Sequence, residues 1–527
     1  MPRRRGRARD RGRNRLRRER KWWRVITIRH STDLDPETIE DIAFGLHTLE
    51  LHPELLEELR RSHEEMVAAL VGGQRVYGVN TGTGYLANTA LRGPELKRHQ
   101  RNLLLGRAVG SPPYLPVEEA RALMAARLIN LISGYAGVTP ELCQFLVDRI
   151  NDGFVPAVPR GGVGSAGEVI PLSHAFQTFV GVGHVLEPDG NVKDAALALA
   201  ERGVPSYDPA AKEGIALLAG CPGTIALAIA RRRAVEILSR QLLAGAACSI
   251  DALRAPLEIY GERGDRLHAD PVLFGVLSRL RAALRGSAGE RYGIQAPVSF
   301  RVAPQVLAHL ERTIVRFTED IDRAVGSVTD SPAFVEGSFV ATGGFHEVEL
   351  AAGFDALALA LIRAAELSGQ RVHRLLDSRF SGLPDQLTPN PGPSCGLIVV
   401  QKRVVGVLNE LRRLAAPASV GVADTSLGQE DAMTFAFEAA EKLRRVEELV
   451  RDVLACELLV ARQAWALRGA GIPDGLKEVA GRLTEAVEPV EEDKPPGPNL
   501  TRLAGMLERG EFGQTFEQRN RRTESVR

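Results

Sequence analysis

Downstream of residue 211, apolar residues return every three or four positions through long segments, at about 211–284, 306–325, 348–376, 398–414 and 432–467. Short Gly-, Pro- and Asp-bearing turns separate them. A period near 3.6 puts one stripe of each segment against a core, so the pattern predicts an elongated helical bundle carrying loops at its ends. The same period marks helices at about 94–107, 117–135 and 140–152. Asp35-Pro36-Glu37 supplies an acidic cap and a first-turn proline, opening a helical stretch over 35–71. Thr27-Ile28-Arg29 reads as a short strand. The run Val76-Tyr77-Gly78-Val79-Asn80-Thr81-Gly82-Thr83-Gly84 has no period and many glycines, which predicts a loop whose backbone can approach a ligand closely. Residues 486–497 are acidic and Pro-rich, a connector to a polar tail. The expected organisation is a basic tail (1–24), an N-terminal loop-bearing region (25–220), a central helical bundle (221–485), and the connector with its tail (486–527).

Composition narrows the class. With 527 residues the chain can bury a large core, and only 5% of it is aromatic. No uninterrupted apolar run reaches about 18 residues and nothing at the N-terminus resembles a signal peptide, so the reading is cytoplasmic, without a membrane partner. Cys143, Cys221, Cys248, Cys395 and Cys456 are scattered without a C-x-x-C pair, which fits reduced core or site residues. His99, His174 and His346 show no paired ligand spacing, so no metal is expected. The net charge of +1 hides an asymmetry: residues 1–24 hold thirteen Arg or Lys against Asp10 and Glu19, leaving about −10 on the rest. Such a segment offers a contact for nucleic acid or an anionic surface. The plainer expectation is a disordered extension encoded upstream of the true start.

The stretch Gly161-Gly162-Val163-Gly164-Ser165-Ala166-Gly167-Glu168-Val169-Ile170-Pro171-Leu172-Ser173-His174 carries the most specific chemistry. Part of it fits the G-x-G-x-x-G dinucleotide fingerprint, but that motif needs an apolar strand running into the first glycine. Here Pro156 and Pro159 interrupt the approach.

The segment resembles the signature of the histidine/phenylalanine/tyrosine ammonia-lyase family, whose Ala-Ser-Gly triad condenses into methylideneimidazolone (MIO), an electrophile made from the backbone. The likeness extends in register over about residues 25–510. It implies a mainly α fold of the ammonia-lyase (fumarase/aspartase-like) type and a homotetramer whose sites combine loops from several subunits. It also implies a small amino-acid-like substrate. On the matching positions, Tyr77 is the base that removes the β-proton, with Asn80 and Gly84 in its loop as substrate contacts. A free phenol has a pKa near 10, so such a base needs cationic neighbours or strong donors. Arg301, in Ser299-Phe300-Arg301-Val302-Ala303-Pro304-Gln305, is the clamp for the substrate carboxylate, which a guanidinium fork suits geometrically, and Gln305 is a further substrate contact. Phe345, Gln429 and Glu430 match family blocks that contact the substrate, with the Gln429-Glu430 pair close to the amino group and Glu430 a catalytic residue that holds the ammonium or takes a proton. On a helix starting near Glu430, that acid could equally complement the helix dipole.

The departures cluster on the electrophile. Ser165-Ala166-Gly167 puts Ala where the family's central Ser stands, and Ala has no hydroxyl to lose. Gly167 could still close a ring, and a shifted triad centred on Ser165 would need the Ala166 amide as attacker. Ala219 replaces the Asn that supports the MIO carbonyl, and Arg107 replaces a selectivity His. An added cation at Arg107 favours a substrate with a second anionic group. The expected function is an ammonia-lyase-like β-elimination without MIO or another cofactor. The alternative is an inactive protein that keeps the assembly as a binding scaffold.

Overall fold

A computed structural model describes residues 24–287, 291, 293–469 and 471–513. The basic segment up to residue 23 and the end of the C-terminal segment from residue 514 lie outside the described residues. The fold is mainly helical, with short two-stranded sheets. The chain forms two compact units, one drawn from Met1–Leu227, Asp322–His346 and Val422–Met433, the other from Ala228–Ile321, Glu347–Gly421 and Thr434–Arg527.

In the first unit, β1 (Arg24–Ile28) pairs in parallel with β2 (His47–Leu51), connected through α1 (Pro36–Ala43). The helical stretch expected over 35–71 is therefore broken by a strand. His47-Thr48-Leu49-Glu50-Leu51 buries Leu49 and Leu51 while exposing Glu50, a period of two that a window of periods near 3.6 overrides. After it run α2 (Pro53–Val71), α3 (Pro94–Leu105), α4 (Val117–Leu131), α5 (Pro140–Asn151), α6 (Val169–Phe176), α7 (Ala195–Glu201) and α8 (Glu213–Leu218). Proline opens α1, α2, α3 and α5, and Asp35 and Thr139 cap α1 and α5 by accepting the amides of Thr38 and Leu142. The central α4 is buried on nearly every side from Glu119 to Leu131, which is why its sequence shows little amphipathic contrast.

The second unit is the bundle. It contains most of α9 (Pro222–Ala252) and α11 (Ala303–Val325), together with α10 (Pro271–Ala283), α12 (Val348–Leu375), α13 (Ile398–Arg413), α14 (Ala436–Arg468), α15 (Lys477–Ala486) and α16 (Gly497–Glu508). Its spine is α12 against α14, joined by α13 and α16. Residues 497–508, expected as part of a polar tail, instead form α16, which buries Leu500, Leu503, Met506 and Leu507. Within this core Glu457 is fully buried yet satisfied, receiving Ser249 Oγ at 2.6 Å, Ser368 Oγ at 2.5 Å and Arg371 Nε at 2.5 Å. One helical stretch, Glu213–Ala252, has the length and mean hydropathy (1.6) of a membrane span, but 89% of that window is buried inside the protein, as in a core helix.

Candidate active site

The site of the first unit is built on α3, α6 and α8, which pack on one another. At Gly214 a Cβ would lie 2.1 Å from the carbonyl oxygen of Gln100, so the approach of α3 and α8 demands glycine. Gln100 is wholly buried and uses its amide in both directions: Nε2 donates to Gly78 O at 2.9 Å, and Oε1 accepts the Ile215 amide at 3.1 Å. Gly78 has φ +68°, and a Cβ there would crowd Ile215 and Thr83 at 3.0 to 3.1 Å. The turn after Tyr77 is thereby pinned to two helices.

Tyr77 is 42% exposed, and its phenol oxygen accepts the Gly84 amide at 2.8 Å. Asn80 closes the loop from inside, accepting Val76 N–H and donating to Gln74 O, both at 2.7 Å. Arg107 is half-buried just beyond α3, and donates from Nη2 to Thr83 Oγ1 at 2.5 Å and from Nη1 to Leu103 O at 3.3 Å. Burial pushes its guanidinium below the ordinary value, while Tyr77 and Glu430 pull the other way. Arg107, Tyr77 and Glu430 thus form one electrostatic group.

Glu430 stands in a turn closed by backbone pairing with Thr425. Its carboxylate accepts Ser426 Oγ at 3.0 Å, Thr425 Oγ1 at 3.4 Å and the Ala166 amide at 3.4 Å. The helix expected to begin near Glu430 starts only at Ala436, so Glu430 is not its first-turn acid. Gln429 is exposed beside it. The Ser426–Gly428 turn packs on Gly84–Leu86, and a Cβ at Gly84 would meet Ser426 Oγ at 3.3 Å.

In the triad loop, the Ser165 hydroxyl donates to Gly167 O at 2.5 Å, and a Cβ at Gly167 would lie 3.7 Å from the Phe345 ring. No strand leads into Gly162, which removes the dinucleotide reading. Behind the loop, buried Glu168 accepts the amides of Gly223 at 2.6 Å and Thr224 at 2.5 Å, at the N-terminus of α9. Burial raises its pKa to about 7, opposed by these bonds and by Arg127. The fully buried Arg127 donates to Ala216 O and Ala219 O, shaping the turn that holds Ala219. Lys212 and Asp330, 0% and 1% exposed, pair at 2.6 Å. Among the described residues no group of three or more His, Cys, Asp or Glu is placed to hold a metal ion.

Tyr77, Asn80, Gly84, Arg107, Ser165, Ala166, Gly167, Phe345, Gln429 and Glu430 all belong to this unit. Arg301 and Gln305 belong to the second. There Arg301 ends a short helix, Val298–Arg301, held by Tyr260 Oη on Phe300 O at 3.0 Å and by Arg371 on Ser299 O at 3.4 Å. The Arg301 Nε is buried without a hydrogen bond among the described residues, and Gln305 is exposed. Sequence reasoning missed Gln100, Thr83, Arg127 and Glu168. A lone Gln in an apolar run was the signal for Gln100. Glu168 lay inside the motif already singled out.

The sequence profile of the family described as aromatic amino acid lyase matches residues 34–489. The histidine ammonia-lyase of Shewanella pealeana is 32% identical over 479 residues, covering 89% of this chain and 94% of that protein. The crystal structure of histidine ammonia-lyase from Trypanosoma cruzi superposes with a TM-score of 0.84 at 26% identity, covering 94% of this chain and 95% of that one. The ergothionase of Treponema denticola, an ergothioneine-degrading enzyme, superposes at 0.88 with 22% identity over 93% and 99%, a likeness of fold.

Proposed function

Because the chain belongs to the aromatic amino acid lyase family, we propose that it is a carbon–nitrogen lyase that removes an amine from an amino-acid-like substrate by β-proton abstraction, without a methylideneimidazolone. The observation that carries this reading is the Glu430 carboxylate against the Ala166 amide, at 3.4 Å. It sets an acid against the central residue of the triad, Ala166, which has no hydroxyl from which to yield the electrophile. Making the electrophile takes a hydroxyl on the middle residue. Ala166 has none, Ser165 Oγ is engaged by Gly167 O, and Ala219 offers no side-chain donor. The residues present do not fit the group, and no step is routed through it.

In the proposed reaction the Tyr77 phenolate takes the β-proton onto Oη. The C–H electron pair becomes the Cα–Cβ double bond, and the Cα–N bond breaks with its pair leaving on nitrogen. The products are an α,β-unsaturated acid and an amine. Glu430 and Gln429 hold the cationic nitrogen, Phe345 packs the substrate side chain, and Arg301 with Gln305 takes the carboxylate. Without an electrophile the substrate must supply the leaving group. A nitrogen that keeps an N–H gives up that proton far more readily than the β-carbon does. A fully substituted nitrogen has none to lose and leaves as a neutral amine. The protein acts as a cytoplasmic homotetramer, with Arg301 and Tyr77 in composite sites.

The test is to incubate the protein with histidine, phenylalanine and tyrosine and with their N,N,N-trimethyl derivatives, following the absorbance of the unsaturated acid. Product from the wild type and none from Tyr77→Phe supports the reading. Calorimetric binding without product replaces it with the scaffold alternative.

A further inference from the structure

We propose that Arg107 is a positioning residue for Tyr77, acting through Thr83, rather than a receptor for a second anion on the substrate. This rests on the reading of Tyr77 as the base. The middle of the loop from Gly78 to Gly84 is tied by its own side chains, Asn80 bonding Val76 N–H and Gln74 O and Thr81 bonding Val76 O, while its two ends rest on glycine. Gly78 and Gly84 have φ of +68° and +58°, and glycines at 78, 82 and 84 leave few side chains to stiffen those ends. The placement of those ends therefore depends on ties from outside. Gln100 fixes the first end, through Gly78 O at 2.9 Å. Arg107 fixes the other end, through Thr83 Oγ1 at 2.5 Å.

Thr83 is placed to transmit that second tie. Its hydroxyl meets Arg107, its methyl faces Gly78, the residue after Tyr77, and the next amide, Gly84 N–H, is the one on the Tyr77 phenol oxygen at 2.8 Å. Arg107 is itself anchored. Nη1 lies on Leu103 O, among the last carbonyls of α3, where a cation is favoured by the helix C-terminus. A rigid helix end thus holds a threonine, and the threonine holds the donor that orients the phenol. The Nη1 and Nη2 of Arg107 face the helix and the loop, and Tyr77 and Glu430 are among the charges it feels, with His99 on the other side of the balance.

The experiment compares Arg107→Lys, Thr83→Val, Thr83→Ser and the Arg107→Lys/Thr83→Val double variant, with thermal unfolding as a control for folding. Positioning predicts that Arg107→Lys and Thr83→Val each lower kcat by about 10- to 100-fold, the scale of a small misplacement of a reacting group, with KM within about twofold. The double variant is no worse than the poorer single one, and Thr83→Ser, which keeps the hydroxyl, restores most of kcat. An anion receptor predicts the reverse: KM rises in Arg107→Lys with kcat intact, and Thr83→Val is silent. That result overturns the inference. A readout independent of turnover is the ¹⁹F resonance of 3-fluorotyrosine at position 77. A common displacement in Arg107→Lys and Thr83→Val supports the inference, and an unmoved resonance in both overturns it. Wild-type protein without Tyr77-dependent product defeats the proposed reaction and leaves the ¹⁹F comparison to decide the positioning.

Discussion

The carboxylate of Glu430 accepts the amide N–H of Ala166 at 3.4 Å, so an acid from the Val422–Met433 segment bears on the middle residue of the triad loop. Closing the loop by attack of the Gly167 amide on the Ser165 carbonyl, followed by loss of water, would consume that N–H. The hydrogen bond to a charged acceptor favours the open chain. With about four lone-pair positions and three donors on it, the same carboxylate keeps room to face a substrate cation.

Glu430→Gln is expected to lower kcat/KM by about 100-fold, the usual scale for a positioned charged group at a reacting centre. Gln can still accept the Ala166 N–H, so thermal unfolding should change little. Steady-state kinetics on the substrate identified with the trimethylated series checks this. An unchanged kcat/KM would remove Glu430 from the site.

The Lys212–Asp330 pair is buried in the same unit, with Thr329 held next to Asp330 by the Asn130 side chain. Asp330→Asn leaves a buried ammonium without its counter-charge and should cost about 3–5 kcal/mol in urea unfolding. Replacing both residues, Lys212→Met with Asp330→Leu, should cost less than the single change. Equal or greater loss in the double variant would contradict the assignment of a buried, paired charge.

Glu168 gives a pH dependence of defined sign. Its folded pKa, about 7, lies above the ordinary 4.5, so the folded chain binds this proton more tightly than the unfolded chain does. Its contribution therefore favours folding at low pH and declines as pH rises from about 4.5 to about 7, by an amount on the order of 3 kcal/mol. Glu168→Gln removes the titrating group. The stability difference between wild type and variant should vary across that window and be flat above it. A flat difference throughout would contradict the raised pKa.

The bundle was legible because α10 to α14 carry the 3.6 period on buried faces, as Leu350, Phe354, Leu357 and Leu361 do along α12. The strand His47–Leu51 was hidden between two helices, its alternation too short to outweigh them. Helix α16 was hidden by the acidic, Pro-rich connector before it, although Leu500, Leu503 and Leu507 already showed the spacing. In the candidate site, motifs singled out Tyr77, Arg107 and Glu430, but no motif pointed to the ties among them. The Thr83 contact with Arg107 spans 24 positions and the Glu430 contact with Ala166 spans 264, and no local pattern encodes separations of that size. For Asn80 the motif implied a substrate contact, and the fold adds what the motif did not encode, bonds from its amide to Val76 N–H and Gln74 O.

The central claim, an elimination without methylideneimidazolone, is tested most directly by the accurate mass of the tryptic peptide 161–193 from natively purified protein, which trypsin releases after Arg160. The account predicts the encoded mass. Loss of one water would mean that the loop cyclises despite Ala166. That ring would lack the exocyclic methylene and would contradict only the open chain, whereas loss of two waters would mean an electrophile derived from Ser165 and would contradict the central claim.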